Sequence, residues 1–150
     1  MKILFVGNKL RNIHLENFSQ ELIKNGVEVK VIIDSDFLEK SLTIDFQRKK
    51  NKKNQLKEIL EEFCPDFVVL DRISRIGEIL IDKKIPIVVL LRGNYWEEIR
   101  WAKIQNKRGL VGLTSIYRNQ KLADKIFNNA RLILPISNYL KNEVISRYPN

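Results

Sequence analysis

The chain has 150 residues, of which 44% are hydrophobic and 30% charged, a composition typical of one globular domain rather than of a disordered segment. Its formal net charge of +9 excludes no ligand class but favours polyanions and anionic membrane surfaces. The single cysteine, Cys64, excludes an intrachain disulfide, and the apolar runs are too short for a signal peptide or a membrane span, so we expect a cytoplasmic protein.

Five short apolar runs with almost no polar alternation predict strands that are buried on both faces, as in a parallel sheet. They are residues 2–6, 29–33, 67–70, 85–91 and 131–136. Helical patterns separate these runs, and strands that alternate with helices are joined by right-handed crossovers. The sequence therefore predicts an α/β fold with a Rossmann-like, doubly wound parallel sheet, in a single domain spanning residues 1–150.

The helices are predicted from apolar residues spaced three and four apart. They cover residues 14–25, 55–63, 76–80, two pieces of 95–128 and a last helix through residue 148. Gly26 is expected to end the first helix, Gly109 and Gly112 to separate the two pieces of the long region, and Ser137 to cap the last helix. The segment 47–57 carries six lysines and arginines without an acid, so like-charge repulsion predicts that most of it is a mobile loop.

The candidate binding residues follow the strands. Ligands of open parallel sheets bind at the carboxyl ends of the strands, beside helix N-termini that offer amide donors. The loops at those ends hold glycines, cations and small polar residues, which suit an anionic ligand such as a phosphate. The candidate substrate-binding residues are Gly7, Asn8, Lys9, Arg92, Gly93, Asn94 and Ser137. Two alternatives stay open: the glycines only allow tight turns, and Arg92 pairs with Asp71 across the top of the sheet.

Several other site classes lack their motifs. Neither GxGxxG nor GxxxxGK[ST] is present, which removes the main support for a dinucleotide or P-loop site. The single histidine, His14, excludes a histidine-based metal site, and a histidine at a helix start is more often structural or exposed than catalytic. We therefore expect no metal.

Four stretches resemble the N-terminal domain of GT-B glycosyltransferases, specifically the retaining enzymes of family four (group 1). The family's opening strand, helix and second strand are similar to KILFVGNK and IHLENFSQELIKNGVEVKVII. Its Pro-Asp-Val-Val and Ile-Pro-Val-Val strands are similar to FCPDFVVLDRIS and KKIPIVVLLRGNYWEE. The most specific likeness is that of its Val-Ser-x-x-Leu-Lys run to KLADKIFNNARLILPISNYLKNEVISRYP. The chain departs from the family at Asn8 and Lys9, where a glycine pair is usual, and at Arg92, where a histidine is usual.

The resemblance implies an enzyme that transfers a sugar from a nucleotide-sugar donor to an acceptor, either lipid-linked or a cell-envelope glycan. This chain would form the acceptor side, and its partner would be the protein's own C-terminal donor-binding domain, which the chain lacks. The main catalytic residues are expected in that missing domain, so the isolated chain is expected to be inactive. The nucleotide sugar is a substrate, and no cofactor is implied.

Two basic segments suggest where the protein acts. Aromatic residues interleaved with cations sit well at a membrane interface, and this predicts contacts with the cytoplasmic face of an anionic membrane. The predicted contact residues are Lys49, Lys50, Lys52, Lys53, Trp96 and Trp101. The alternative is that both tryptophans belong to the core and the lysines only keep the surface soluble.

Rival functions remain. A net charge of +9 with two basic segments is also the electrostatic footprint of a nucleic-acid-binding module. Against that alternative, the sequence has no helix-turn-helix, zinc-ligand spacing or RNA-recognition motif, so we expect no nucleic-acid partner. A single-domain receiver would need an acidic cluster at the strand ends, where only Asp34 and Asp71 are found.

Overall fold

The computed structural model describes residues 1–9, 12–37, 46–106 and 109–149. Within this part of the chain, the predicted strands and helices occur in the predicted order, together with one short helix after the second strand that the sequence does not predict. The strands are β1 (Lys2–Gly7), β2 (Glu28–Ile33), β3 (Phe67–Leu70), β4 (Ile87–Leu91) and β5 (Leu132–Pro135). The helices are α1 (Asn12–Lys24), α2 (Asp34–Phe37), α3 (Phe46–Phe63), α4 (Ile76–Asp82), α5 (Tyr95–Ile104), α6 (Gly109–Asn129) and α7 (Asn138–Arg147).

The five strands form one parallel sheet in the order β2-β1-β3-β4-β5. Ile3 pairs with Val29 of β2 on one side and with Phe67 of β3 on the other, so β1 lies inside the sheet. The chain extends the sheet in one direction from β1 to β2 and in the other from β3 onward. This confirms the prediction of a doubly wound, Rossmann-like α/β domain.

Each face of the sheet has its own apolar core. Helix α1 covers one face, where Leu15 packs with Phe5 and Val88. Helices α3, α4, α6 and α7 cover the other face with the larger core, to which Leu4 and Leu70 contribute from the sheet. The inner strands β1, β3 and β4 are largely buried on both faces, and their sequences are continuous apolar runs. At the edge of the sheet, β5 leaves Leu132 50% and Leu134 42% exposed, so the prediction of burial on both faces is wrong for this strand. The ends of two predicted strands are shorter in the structure, since β4 begins only after Pro86 and β5 ends at Pro135.

Two glycines confirm their predicted roles, and one does not. Gly26 (φ 78°) and Gly109 (φ 54°) have left-handed backbone conformations, which follow α1 and begin α6 respectively. Gly112, which was also predicted to break the helix, instead lies buried inside α6. The helix continues through Gly112, so this part of the prediction was wrong.

The prediction of a mobile loop over residues 47–57 was also wrong, because α3 runs through the whole segment. Lysine, arginine and glutamine are good helix formers. Lys50, Lys53 and Lys57 are exposed, so solvent partly screens their charges. Leu56 and Leu60 are buried and fix the second half of the helix to the core. Apolar anchoring therefore outweighs like-charge repulsion in this helix.

Candidate functional site

A cleft of about 190 Å³ opens at the carboxyl edge of the sheet, between the loops that follow β3 and β4. Its lining combines cationic, acidic, aromatic and apolar side chains with the glycine after β4. The lining residues are Asp71, Arg72, Ile73, Val89, Leu90, Leu91, Arg92, Gly93, Tyr95 and Glu98. From the boundary between β1 and β3, the chain adds strands to the sheet in opposite directions. The cleft lies one strand away from this boundary, between the ends of β3 and β4.

An ion pair lies in this cleft. Asp71 directly follows β3 and its amide donates to the carbonyl of Val6 at 3.0 Å, which fixes the residue beside β1. Its side chain is 0% exposed, and its Oδ1 lies 2.8 Å from Nε of Arg92. The Arg92 side chain remains 24% exposed. The pairing that the sequence left open as an alternative is therefore observed, and it orients a partly exposed guanidinium in the cleft.

The loop after β4 joins the cleft to two helices. Asn94 caps α5, because its side-chain oxygen accepts a hydrogen bond from the Glu97 amide at 3.0 Å. Its Nδ2 donates to the Tyr139 hydroxyl of α7 at 2.6 Å. At Gly93, a Cβ atom would lie 3.1 Å from Oε1 of Glu98, so the lack of a side chain keeps this wall of the cleft open. Both ends of the Asn94 amide are thus engaged within the protein.

Tyr95 forms another wall, and its hydroxyl donates to the carbonyl of Asn119 in α6 at 2.9 Å. Burial raises the pKa of Tyr95 to about 12, and the nearby charges of Asp124 and Glu98 act in the same direction. The phenol is therefore neutral at physiological pH. It serves as a hydrogen-bond donor that ties α5 to α6, and it is poorly suited to act as a base.

The other predicted site residues lie outside the lining of the cleft described above. Gly7 ends β1, and Asn8 and Lys9 follow it. The side chain of Leu15 occupies the space that a Cβ at Gly7 would need. Gly7 therefore has a packing reason to be a glycine. Ser137 caps α7 through a hydrogen bond from the Leu140 amide to its Oγ at 3.3 Å, which confirms its predicted capping role.

The two tryptophans differ in their surroundings. Trp96 is half-buried, with its ring centroid 5.4 Å from that of Phe127 and 6.2 Å from that of Tyr148. The guanidinium of Arg147 lies 4.9 Å from the centre of the Trp96 ring. Trp101, by contrast, is 52% exposed. Trp96 thus belongs to an aromatic cluster beside the larger core, whereas Trp101 faces solvent.

The predicted lysines lie on a helix rather than in a loop. Lys50 and Lys53 are exposed on α3 and Lys52 is partly exposed, whereas the side chain of Lys49 lies outside the described residues. Contact with a membrane by these lysines stays a prediction.

A second cavity was missed at the sequence level. It is a groove of about 570 Å³ between α4 and α6, and four of its lining side chains are cationic. The lining residues are Arg75, Glu78, Arg118, Asn119, Lys121, Leu122 and Lys125. One signal pointed toward it: residues 99–123 contain six lysines and arginines and no acid. We call this cavity the α4–α6 groove.

Other kinds of site find no support in the described part of the chain. Residues 1–9, 12–37, 46–106 and 109–149 contain no cluster of three or more histidine, cysteine, aspartate or glutamate side chains suited to a metal ion. Within the same ranges, every helix is too short or too polar to cross a bilayer. In comparisons with known proteins, the chain matches no family model and no curated sequence.

Proposed function

We propose that the chain is the acceptor-side domain of a retaining glycosyltransferase with two Rossmann-like domains, which uses a nucleotide-sugar donor. The single observation that carries the proposal is the cleft after β3 and β4, in which buried Asp71 orients Arg92. In a doubly wound sheet this edge is where ligands bind. The motifs that resemble family four agree with this choice of edge.

The size of the cleft favours a shared site. Complete small-molecule sites commonly enclose about 300–1,000 Å³, and this cleft measures about 190 Å³. A second domain facing the carboxyl edge would supply the other wall and most donor contacts. For this reason we expect the chain alone to bind acceptors weakly and to transfer no sugar.

The chemistry of the lining favours a polyhydroxyl ligand. The cations Arg72 and Arg92 are offset by the carboxylates of Asp71 and Glu98, so the cleft presents both hydrogen-bond donors and acceptors with little net charge. A pyrophosphate alone would favour an excess of cations. A sugar acceptor, whether lipid-linked or part of a cell-envelope glycan, offers hydroxyls that match both kinds of group.

In this proposal the residues of the cleft act by position. Arg92, held by Asp71, and the wall at Gly93 would orient an acceptor hydroxyl toward the anomeric carbon of the donor sugar. The bond between the anomeric carbon and the diphosphate oxygen would break, a bond to the acceptor oxygen would form, and the proton of the acceptor hydroxyl would pass to the departing nucleoside diphosphate. Holding the two substrates in this geometry lowers the barrier because it replaces an encounter of free molecules. Charge on the leaving group would be stabilised chiefly by the second domain.

Backbone NMR of the 150-residue chain tests the proposal. Titration with methyl glycosides of glucose, galactose and mannose is expected to shift amides of residues 71–73 and 91–95. R92K keeps the charge but loses the planar fork of the guanidinium, and it should weaken these shifts. K83A, at an exposed ion pair with Glu61, is the matched control and should leave them unchanged.

Two outcomes would overturn the proposal. One is that none of the glycosides shifts the cleft amides. The other is that a mixed-sequence RNA, at moderate salt, shifts these same amides more strongly than any glycoside, which would favour the nucleic-acid alternative.

A further inference from the structure

The surface where α5 ends and α6 begins exposes an unusual amount of apolar side chain. Leu110 is 81% exposed, Val111 76% and Ile104 67%, and Trp101, Tyr117 and Leu113 are also exposed. We call these six residues the α5–α6 tip. Exposed apolar residues are ordinary when scattered singly, but a group at the end of a helical hairpin marks an interaction surface.

The charge around the tip has one sign. Residues 99–123, which contain the whole tip, carry six cations and no acid. Arg100 pairs with Glu97 at 2.7 Å, just outside this stretch, and Lys103 donates to Gln120 of α6 at 2.9 Å. The tip therefore offers apolar side chains within a positive electrostatic field.

The tip continues into the α4–α6 groove along one face of α6. Leu110, Tyr117 and Lys121 are spaced seven and four residues apart, which places them on the same side of a helix. All three are exposed, and Lys121 Nζ lies 5.1 Å from the centre of the Tyr117 ring. Apolar side chains thus give way to cations within three helical turns.

We propose that the α5–α6 tip and the adjacent α4–α6 groove form a docking surface for an anionic bilayer. The apolar residues of the tip enter the boundary between headgroups and acyl chains, and the groove cations, Arg75, Arg118, Lys121 and Lys125, contact lipid phosphates. This division of apolar and basic side chains is that of proteins that lie on a membrane without crossing it.

The charge and the exposed apolar side chains together favour a bilayer over other occupants of this surface. A symmetric contact between two copies of the chain would place these cations against the same cations. Nucleic acid would satisfy the charge and could stack on the aromatic rings, but it offers little to exposed Ile104, Leu110 and Val111. An anionic lipid surface satisfies both the charge and the apolar side chains.

The groove and the substrate cleft are neighbours. Tyr95 lines the cleft and Asn119 lines the groove, and the hydrogen bond between them measures 2.9 Å. A bilayer held at the groove would therefore lie near the cleft. The docking surface does not depend on what the cleft binds, so it stands or falls separately from the proposed function.

Vesicle co-sedimentation of the 150-residue chain tests the docking surface. The chain is expected to pellet with vesicles that mix phosphatidylcholine and phosphatidylglycerol, and to remain in solution with phosphatidylcholine alone. The variants L110S/V111S and R118E/K121E should each reduce the partition coefficient by about tenfold or more. All four positions are exposed, so circular dichroism should show the helical content unchanged.

The matched control is K84E/R131E, which makes the same change in net charge at two exposed positions before β4 and β5. We expect it to reduce partitioning by about threefold at most, through the long-range field alone. Equal losses in R118E/K121E and K84E/R131E, or unchanged binding of L110S/V111S, would overturn the proposal. So would tight binding of single-stranded RNA that is lost in R118E/K121E and kept in L110S/V111S.

Discussion

Helix α3 and the α5–α6 tip are both strongly basic, yet the structure gives them different characters. Residues 47–57 and residues 99–123 each contain six cations and no acid. The described part of α3 turns its large apolar residues toward the core, whereas the tip leaves its own in solvent. The two segments carry the same number of cations, so charge density alone does not distinguish the proposed docking surface from α3. The tip differs from α3 in its exposed apolar side chains.

The largest expected effect is the difference in stability between shortening a buried leucine of α3 and shortening an exposed leucine of the tip. Leu56 of α3 is 0% exposed, so L56A should lower the free energy of unfolding by about 2–5 kcal/mol. L110A removes as much side chain at a position that is 81% exposed, and it should change stability by about 0.5 kcal/mol or less. Urea denaturation of both variants measures the difference. Similar losses in the two would mean that the tip is packed in solution.

The next effect concerns the cap that begins α5. N94A removes the hydrogen bond to the Glu97 amide and should cost about 1 kcal/mol of unfolding free energy. N94D keeps a capping oxygen but loses the donor to Tyr139, so it should cost less than N94A. Urea denaturation again gives both values. If N94D is as unstable as N94A, the contact with α7 matters more than the cap.

A pH dependence should distinguish the α5–α6 pair from α3. The pKa of Tyr95 is raised in the folded protein to about 12, above its ordinary value of about 10. A raised pKa means that the stabilisation is fully present below the ordinary value and is lost as the pH rises through the folded value. Unfolding free energy should therefore fall more steeply with pH in this window for the unmodified chain than for Y95F. Y117F, at an exposed tyrosine, is the control and should keep the steep fall.

The smallest effect is expected at the charges of α3. Glu61 is fully exposed, and its hydrogen bond and ion pair with Lys83, at 2.8 Å, lower its pKa. The resulting stabilisation is present above the ordinary pKa of a glutamate and is lost as the pH falls through the lowered value. Because solvent screens the pair, E61Q should leave the thermal midpoint at neutral pH unchanged within error. If E61Q lowered the thermal midpoint by as much as N94A lowers it, charge would contribute to holding α3 in place.

The sequence predicts the sheet well because the inner strands, which are largely buried on both faces, are continuous apolar runs. The edge strand β5 has the same pattern although one of its faces is exposed. It predicts only the second half of α3, because Leu56 and Leu60 mark the helix from residue 55 onward, whereas residues 47–54 contain no apolar side chain whose spacing could extend the helix back to Phe46. The ends of the strands placed Asp71 and Arg92 at the same edge of the sheet. Their contact also requires β3 and β4 to be neighbours, which depends on the strand order.

The tip shows where sequence patterns lose resolution. Leu110, Val111 and Leu113 lie close together at the start of α6, so the helical period does not indicate which of them a neighbouring element covers. Trp96 and Trp101 are five residues apart in one helix. They differ in burial because Phe127 and Tyr148 pack against Trp96, whereas Trp101 faces solvent. Such distinctions depend on which elements meet, and therefore on the whole fold.

The position of β1 inside the sheet has a consequence for the newly made chain. The amide of Lys2 donates to Asp66, which is 64 residues further along, and Ile3 pairs with Phe67. One edge of β1 therefore stays unpaired until β3 has been synthesised. Long-range pairing of this kind is slow compared with the formation of local helices, and an unpaired apolar strand is open to wrong partners. The chain is thus expected to be most prone to wrong pairing during synthesis, before β3 is complete and before α4 exists.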